Sequence, residues 1–154
     1  MSLYTWLHFI HVLGAIGWLG GGMMLSLVGL RARSRANPES IGEFARALPY
    51  IGPRVLLPSS VLVPVTGVWM VLISSGWKLT QLWVLLALGL FAAAFLIGAL
   101  QVGRIGIQLA KSAIDGRIAT ANPVALLNRW LVWYGVVLVV LLATVWDMVF
   151  KPGL

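Results

Sequence analysis

Apolar residues run almost unbroken through four stretches of the chain, approximately 3–30, 55–74, 82–102 and 130–150. A helix rising ~1.5 Å per residue needs roughly 20 such residues to cross about 30 Å of hydrocarbon, and each stretch meets that length. Polar and charged residues return in two long loops, 31–54 and 103–129, and in a short turn around Lys78. The pattern predicts an all-α membrane protein, a four-transmembrane-helix bundle forming a single integral membrane domain over residues 1–154. The first run starts at Leu3 with no basic segment before it and continues, without a small-x-small cleavage pattern, to Arg31. It is therefore read as a retained helix and not as a signal peptide.

The long loops carry structure of their own. Both contain Ala-Asn-Pro, at Ala36 to Pro38 and Ala121 to Pro123, where Asn can cap a helix and Pro fits its first turn. After Pro38, the residues Ile41, Phe44, Ala45 and Leu48 follow helical spacing, which predicts a short amphipathic helix lying on the inner membrane surface. After Val102, a polar face (Arg104, Gln108, Lys111, Asp115) and an apolar face (Ile107, Ala110, Ile114, Ile118) predict that the third helix continues beyond the membrane to Gly116. In the second span, Pro58 and Pro64 withdraw backbone donors and predict a kink, with Ser59, Ser60 and Thr66 available to relieve the deficit.

Composition agrees with this reading: 60% of the 154 residues are hydrophobic and only 10% are charged. The net charge of +7 would suit nucleic acid if it formed a face or tail, but its placement excludes that partner. Nine of the eleven basic residues fall in the two long loops, and only Lys78 and Lys151 lie on the other side. The positive-inside rule then places both loops in the cytoplasm and both termini outside. With no cysteine in the chain, disulfides, thiolate metal sites and cysteine nucleophiles are excluded.

Small residues four apart, Gly17 with Gly21, Gly89 with Ala93 and Ala94 with Gly98, mark helix contacts. They serve packing within one chain at least as well as a homodimer. Trp6, Trp69, Trp77, Trp83, Trp130 and Trp146 lie near span ends, where the indole ring is suited to the headgroup region.

Three titratable side chains lie inside the spans: His8, His11 and Asp147. Ionisable groups are costly in hydrocarbon, which makes them functional candidates. The helical rise places them about 7, about 12 and about 4 to 5 Å below the outer edge, all in the outer leaflet. His8 and His11 share one face of the first helix, and that face continues through Gly14, Ala15, Trp18 and Gly22 as a groove open to a flat cofactor or a neighbouring helix. In the plainer reading the histidines merely hydrogen-bond to Asp147, Thr144, Tyr4 or water, and Asp147 pairs with Lys151 four residues on.

The alternative is ligation. One form is haem b, with one histidine bound axially to iron; residues three apart on one helix cannot occupy opposite faces of the same haem. The other is a metal ion held by His8, His11 and Asp147, or by the histidines with a methionine such as Met1, Met70 or Met148, a set suited to cuprous copper. Among the loop residues, which otherwise act as topology determinants contacting anionic lipid, Arg54 is placed to reach a haem propionate at the inner face.

The segment His11-Val12-Leu13-Gly14-Ala15-Ile16-Gly17-Trp18-Leu19-Gly20-Gly21 resembles the first-helix pattern of the copper-resistance-protein-D-like superfamily of bacterial integral membrane proteins, which is related to membrane-type protoporphyrinogen oxidase. The ending Met148-Val149-Phe150-Lys151-Pro152-Gly153 resembles that of its short members. The resemblance implies that His11 matches a histidine linked with haem or metal, and it implies the cell inner (plasma) membrane. Asn128-Arg129 followed by Trp130, with no glutamate, departs from the oxidase pattern, so no catalytic residue is assigned. Three readings follow: a haem or transition-metal protein in membrane redox or metal handling with an unknown redox or metal-donor partner, a copper transport or resistance component, and a non-catalytic structural or assembly subunit.

Overall fold

The computed structural model describes residues 2–35, 37–118 and 122–153. Ala36 and Ala121, which open the two Ala-Asn-Pro segments, and Met1, one of the candidate thioether ligands, lie outside the described residues. Among the described residues, four helices are long and apolar enough to cross a membrane: α1 (Leu3–Ser34), α2 (Pro38–Ile73), α3 (Leu82–Ile114) and α4 (Pro123–Phe150). Their 28 to 36 residues correspond to about 42 to 54 Å, more than a bilayer core requires, so each projects beyond it.

The boundaries follow local chemistry. Asn37 Oδ1 accepts hydrogen bonds from the Glu39 and Ser40 amides at 2.6 and 3.2 Å, and Asn122 Oδ1 accepts from the Ala125 amide at 3.4 Å. In both cases proline occupies the first helical turn, where its missing N–H removes nothing. Beyond α3, Asp115 caps the last turn and Gly116 turns the chain at φ +69°, a conformation that glycine adopts without a steric penalty.

α2 and α3 each widen into one π turn, at Gly52–Leu56 and Gly98–Val102 respectively. In α2 this turn lies among Pro49, Pro53 and Pro58, whose missing N–H groups break the regular bonding. The expected disturbance is thus taken up in a π turn preceding Pro58. The Ser60 hydroxyl donates to the Leu57 carbonyl at 2.8 Å and the Thr66 hydroxyl to the Leu62 carbonyl at 2.6 Å.

Small residues let α1 approach α2. Cβ atoms added at Gly14 and Gly21 would come within 3.2 Å of Val63 and Leu56, and one at Gly17 within 2.5 Å of the Ser59 hydroxyl. The Gly17–Gly21 spacing therefore serves packing within the chain. α1 packs mainly on Leu57–Ile73 and also on α4, while Leu82–Ile97 packs on α4. In this half α2 and α3 scarcely touch. They pack closely at the basic end, where Pro38–Ile51 lies against Gly103–Ile114, and near the terminal end Val71 touches the start of α3. The bundle is closed at the tip of its basic end, where Pro38–Ile51 meets Gly103–Ile114, and α2 and α3 draw apart from there toward the end bearing the chain termini.

That closure corrects one expectation. Pro38–Ile51 does not lie apart on a membrane surface; it continues through the π turn into the second span, with Ile41, Phe44 and Ala45 buried. Its apolar stripe is covered by helices, chiefly α3. On α3 the buried stripe is Ile105, Leu109 and Ala113, with Gly106 and Ala110, while Ile107 and Ile114 from the expected apolar face are exposed.

The tryptophans divide as well. Trp6, Trp69 and Trp146 are exposed on the bundle's outside, as membrane anchors require. Trp130 is not an anchor: it is buried in the core, stacked on Tyr134 at 4.9 Å and edge-on to Phe44 at 5.2 Å. Trp83 is also buried, in a small apolar cluster with Val71 and Val84.

Candidate functional site

The gap between α2 and α3 at the terminal end is a cavity of about 670 Å³ walled by all four helices. It falls within the size range of small-molecule and cofactor sites and is overwhelmingly apolar. His8, His11 and Trp18 all line it, so the sequence-derived face of α1 is brought to a single chamber. Of the same face, Gly14 is taken up by contact with α2 and Gly22 by contact with Tyr134. Trp18 meets Phe91 edge-on at 5.7 Å, and together they form part of the chamber wall.

His11 is oriented by α2. Its Nδ1 lies 2.9 Å from the Val63 carbonyl oxygen and 3.2 Å from Thr66 Oγ1. A carbonyl can only accept, so Nδ1 carries the proton and donates, and in the neutral ring Nε2 holds the free lone pair. Gly67 makes room for this pose: a Cβ there would stand 3.1 Å from His11 Cε1 and 3.4 Å from Nδ1. His11 lines the chamber, and its Nε2 makes no hydrogen bond among the described residues. A ring N–H bonded to a backbone carbonyl is a common support for a ligating histidine.

His8 is exposed, makes no hydrogen bond among the described residues, and lies 6.4 Å from the Tyr4 ring, tilted by 55°. Asp147 is 1% exposed, neither carboxylate oxygen has a partner among the described residues, and it does not line the chamber. The three-ligand centre of His8, His11 and Asp147 is therefore not assembled. Among the described residues, no three His, Cys, Asp or Glu side chains are grouped to hold a metal ion.

The expected pair of Asp147 with Lys151 is absent for a local reason. Lys151 leaves the helix in a left-handed cap with φ 44°, which takes its side chain off the face four residues above Asp147. Its ammonium instead lies 4.2 Å from the Trp77 ring centre and 5.5 Å from that of Trp83, and Lys151 lines the chamber. Arg54 is displaced in the opposite sense. It stacks over Tyr50 at 4.2 Å, and the neighbouring Val55 and Leu56 face Gly21 of α1, ten residues or about 15 Å beyond His11. It lines neither this chamber nor a second cavity at the basic end, so the basic residue at the histidine chamber is Lys151.

Sequence reasoning assigned Thr66 only to relief of the backbone near the prolines, and missed its meeting with His11, the Val63 carbonyl and Gly67. The only signal for them was a hydroxyl and a glycine side by side in an apolar run. Met70 and Met148, named as thioether candidates, do line the chamber.

A four-helix integral membrane protein that keeps an apolar, imidazole-bearing chamber open between its second and third helices is the class that fold and site define. The chain belongs to the family of predicted integral membrane proteins designated DUF2269, whose model matches residues 5–152. No curated protein and no solved structure matches it.

Proposed function

We propose that the chamber holds a haem b ligated by His11 Nε2, and that the protein serves membrane redox chemistry, with both termini on the outer side of the plasma membrane. The observation that carries this reading is the single imidazole fixed by Val63 and Thr66 at the wall of a 670 Å³ apolar cavity. A macrocycle brings four equatorial nitrogens with it and needs one well-placed protein donor, whereas a bare ion needs several converging ones. When bound, haem would supply one-electron exchange at its iron. His11 would hold it, Trp18 and Phe91 would bound its apolar face, and Lys151 is the cation available to its propionates. The chamber's apolar walls would exclude water, and the basic opposite end supports the orientation. The first-helix resemblance described above favours the same residue.

A second reading is cuprous copper, favoured by Met70 and Met148 lining the chamber with both histidines. Visible spectra of detergent-purified protein expressed with haem, combined with elemental analysis, separate the readings. We expect a Soret band that shifts on reduction, at about one haem per chain. Stoichiometric copper without a Soret band would replace haem by copper, and neither would leave a structural or assembly role.

A further inference from the structure

A second cavity, of about 380 Å³, lies at the opposite end of the bundle. Its walls are the two π turns, through Pro53, Leu56, Gly98 and Val102, and its floor is formed by Trp130 and Tyr134. Nearly all of the lining is apolar. Leu57 on one rim and Ile107 on the other both line it and are exposed, so it opens sideways between α2 and α3 into the surroundings of the bundle. It straddles the level at which the second and third apolar runs end: Leu57 and Ser60 lie within the second run, and Gly103 and Gly106 lie beyond the third.

Two cations adjoin residues that line this cavity, without lining it themselves. Arg54 adjoins Pro53 and lies one turn from Leu57, and Arg104 adjoins Gly103 and lies one turn from Ile107. Both are exposed, and neither forms an ion pair with an acidic side chain among the described residues. Arg54 keeps its guanidinium over Tyr50, which leaves its N–H donors free for an anion.

We propose that this cleft is a binding site for one anionic phospholipid, with an acyl chain in the cavity between the π turns and the headgroup phosphate between Arg54 and Arg104. An apolar slot open to hydrocarbon suits a chain, and paired cations at its headgroup-level mouth suit a phosphate. A free phosphate would have no use for the slot, and a neutral lipid none for the arginines. The proposal is independent of haem in the other chamber.

The test is native mass spectrometry of the full chain delipidated in detergent, with phosphatidylglycerol or phosphatidylcholine added at matched concentrations. We expect one phosphatidylglycerol retained per chain, bound about tenfold more tightly than phosphatidylcholine, with that preference lost in Arg54→Gln/Arg104→Gln. Arg31→Gln/Arg33→Gln, which removes the same charge from α1, should keep it. Gly98→Phe puts a ring where an added Cβ meets nothing within 4 Å, and it should displace the lipid while the thermal midpoint in detergent stays near wild type. Equal retention of both lipids by the wild type, loss of preference in the α1 variant as well, or displacement by inorganic phosphate alone would each overturn the proposal.

Discussion

Gly22→Ala should lower the stability of the bundle by about 2 kcal/mol, although alanine is the better helix former. The added Cβ would stand 2.6 Å from both Cε1 and Oη of Tyr134, and 3.0 Å from Cζ. A flexible side chain could turn aside, but this ring cannot. Tyr134 is 4% exposed and stacked on Trp130, which is itself held edge-on by Phe44. Relief therefore requires α1 and α4 to part, which would also loosen the floor of the lipid cleft. Two companion variants make the argument specific. At Gly20 an added Cβ meets nothing within 4 Å, so Gly20→Ala should be neutral or slightly stabilising. Tyr134→Leu should be less harmful in the Gly22→Ala background than in the wild type, because it removes the obstructed ring. Thermal unfolding in detergent, followed by tryptophan fluorescence, measures the wild type and the four variants. Equal midpoints for Gly22→Ala and Gly20→Ala would show that α1 and α4 are not this close.

The contrast between Gly20 and Gly22 also shows what sequence can and cannot reveal in such a protein. Hydropathy locates spans because lipid demands roughly 20 apolar residues, and the four runs, the capping residues Asn37 and Asn122 and the stop at Gly116 were all legible on local grounds. Which face of a span meets a neighbour was not, because lipid and a packed helix satisfy an apolar surface equally well. Ile41, Phe44 and Ala45 thus read as a membrane-surface stripe, whereas contact with α3 buries them inside the bundle. Trp130 has the composition of an anchor and the position of a core residue for the same reason. At the candidate site, His8, His11 and Trp18 were legible because one helix carries all three. Thr66 and Gly67 were not, since their meeting with His11 depends on which face α2 turns to α1. The Asp147–Lys151 pair failed on a single dihedral: i to i+4 spacing holds only while the backbone stays helical, and Lys151 does not.

His11→Ala should abolish the Soret band that the haem reading requires, with haem affinity falling on the order of 100-fold or more, while the chain still folds and inserts. The side chain removed is half-buried at a cavity wall, not in the core, and its partners keep their other bonds: Thr66 still donates to the Leu62 carbonyl at 2.6 Å. His8→Ala should keep the band, because among the described residues His8 has no hydrogen-bond partner to fix its tautomer or direction. Two changes on α2 test whether pose, and not mere presence, makes His11 the ligand. Thr66→Val removes one acceptor but leaves the Val63 carbonyl at 2.9 Å, so affinity should fall by no more than about tenfold. Gly67→Val places branched carbon where even a Cβ would be 3.1 Å from Cε1, so the ring must leave its pose and affinity should fall nearly as far as in His11→Ala. Purified proteins titrated with haem and followed at the Soret maximum give the four affinities. A band that survives His11→Ala and vanishes in His8→Ala would move ligation to the unconstrained histidine. The hydrogen bond from α2 would then belong to packing alone, and Gly67→Val would act on stability without touching the spectrum.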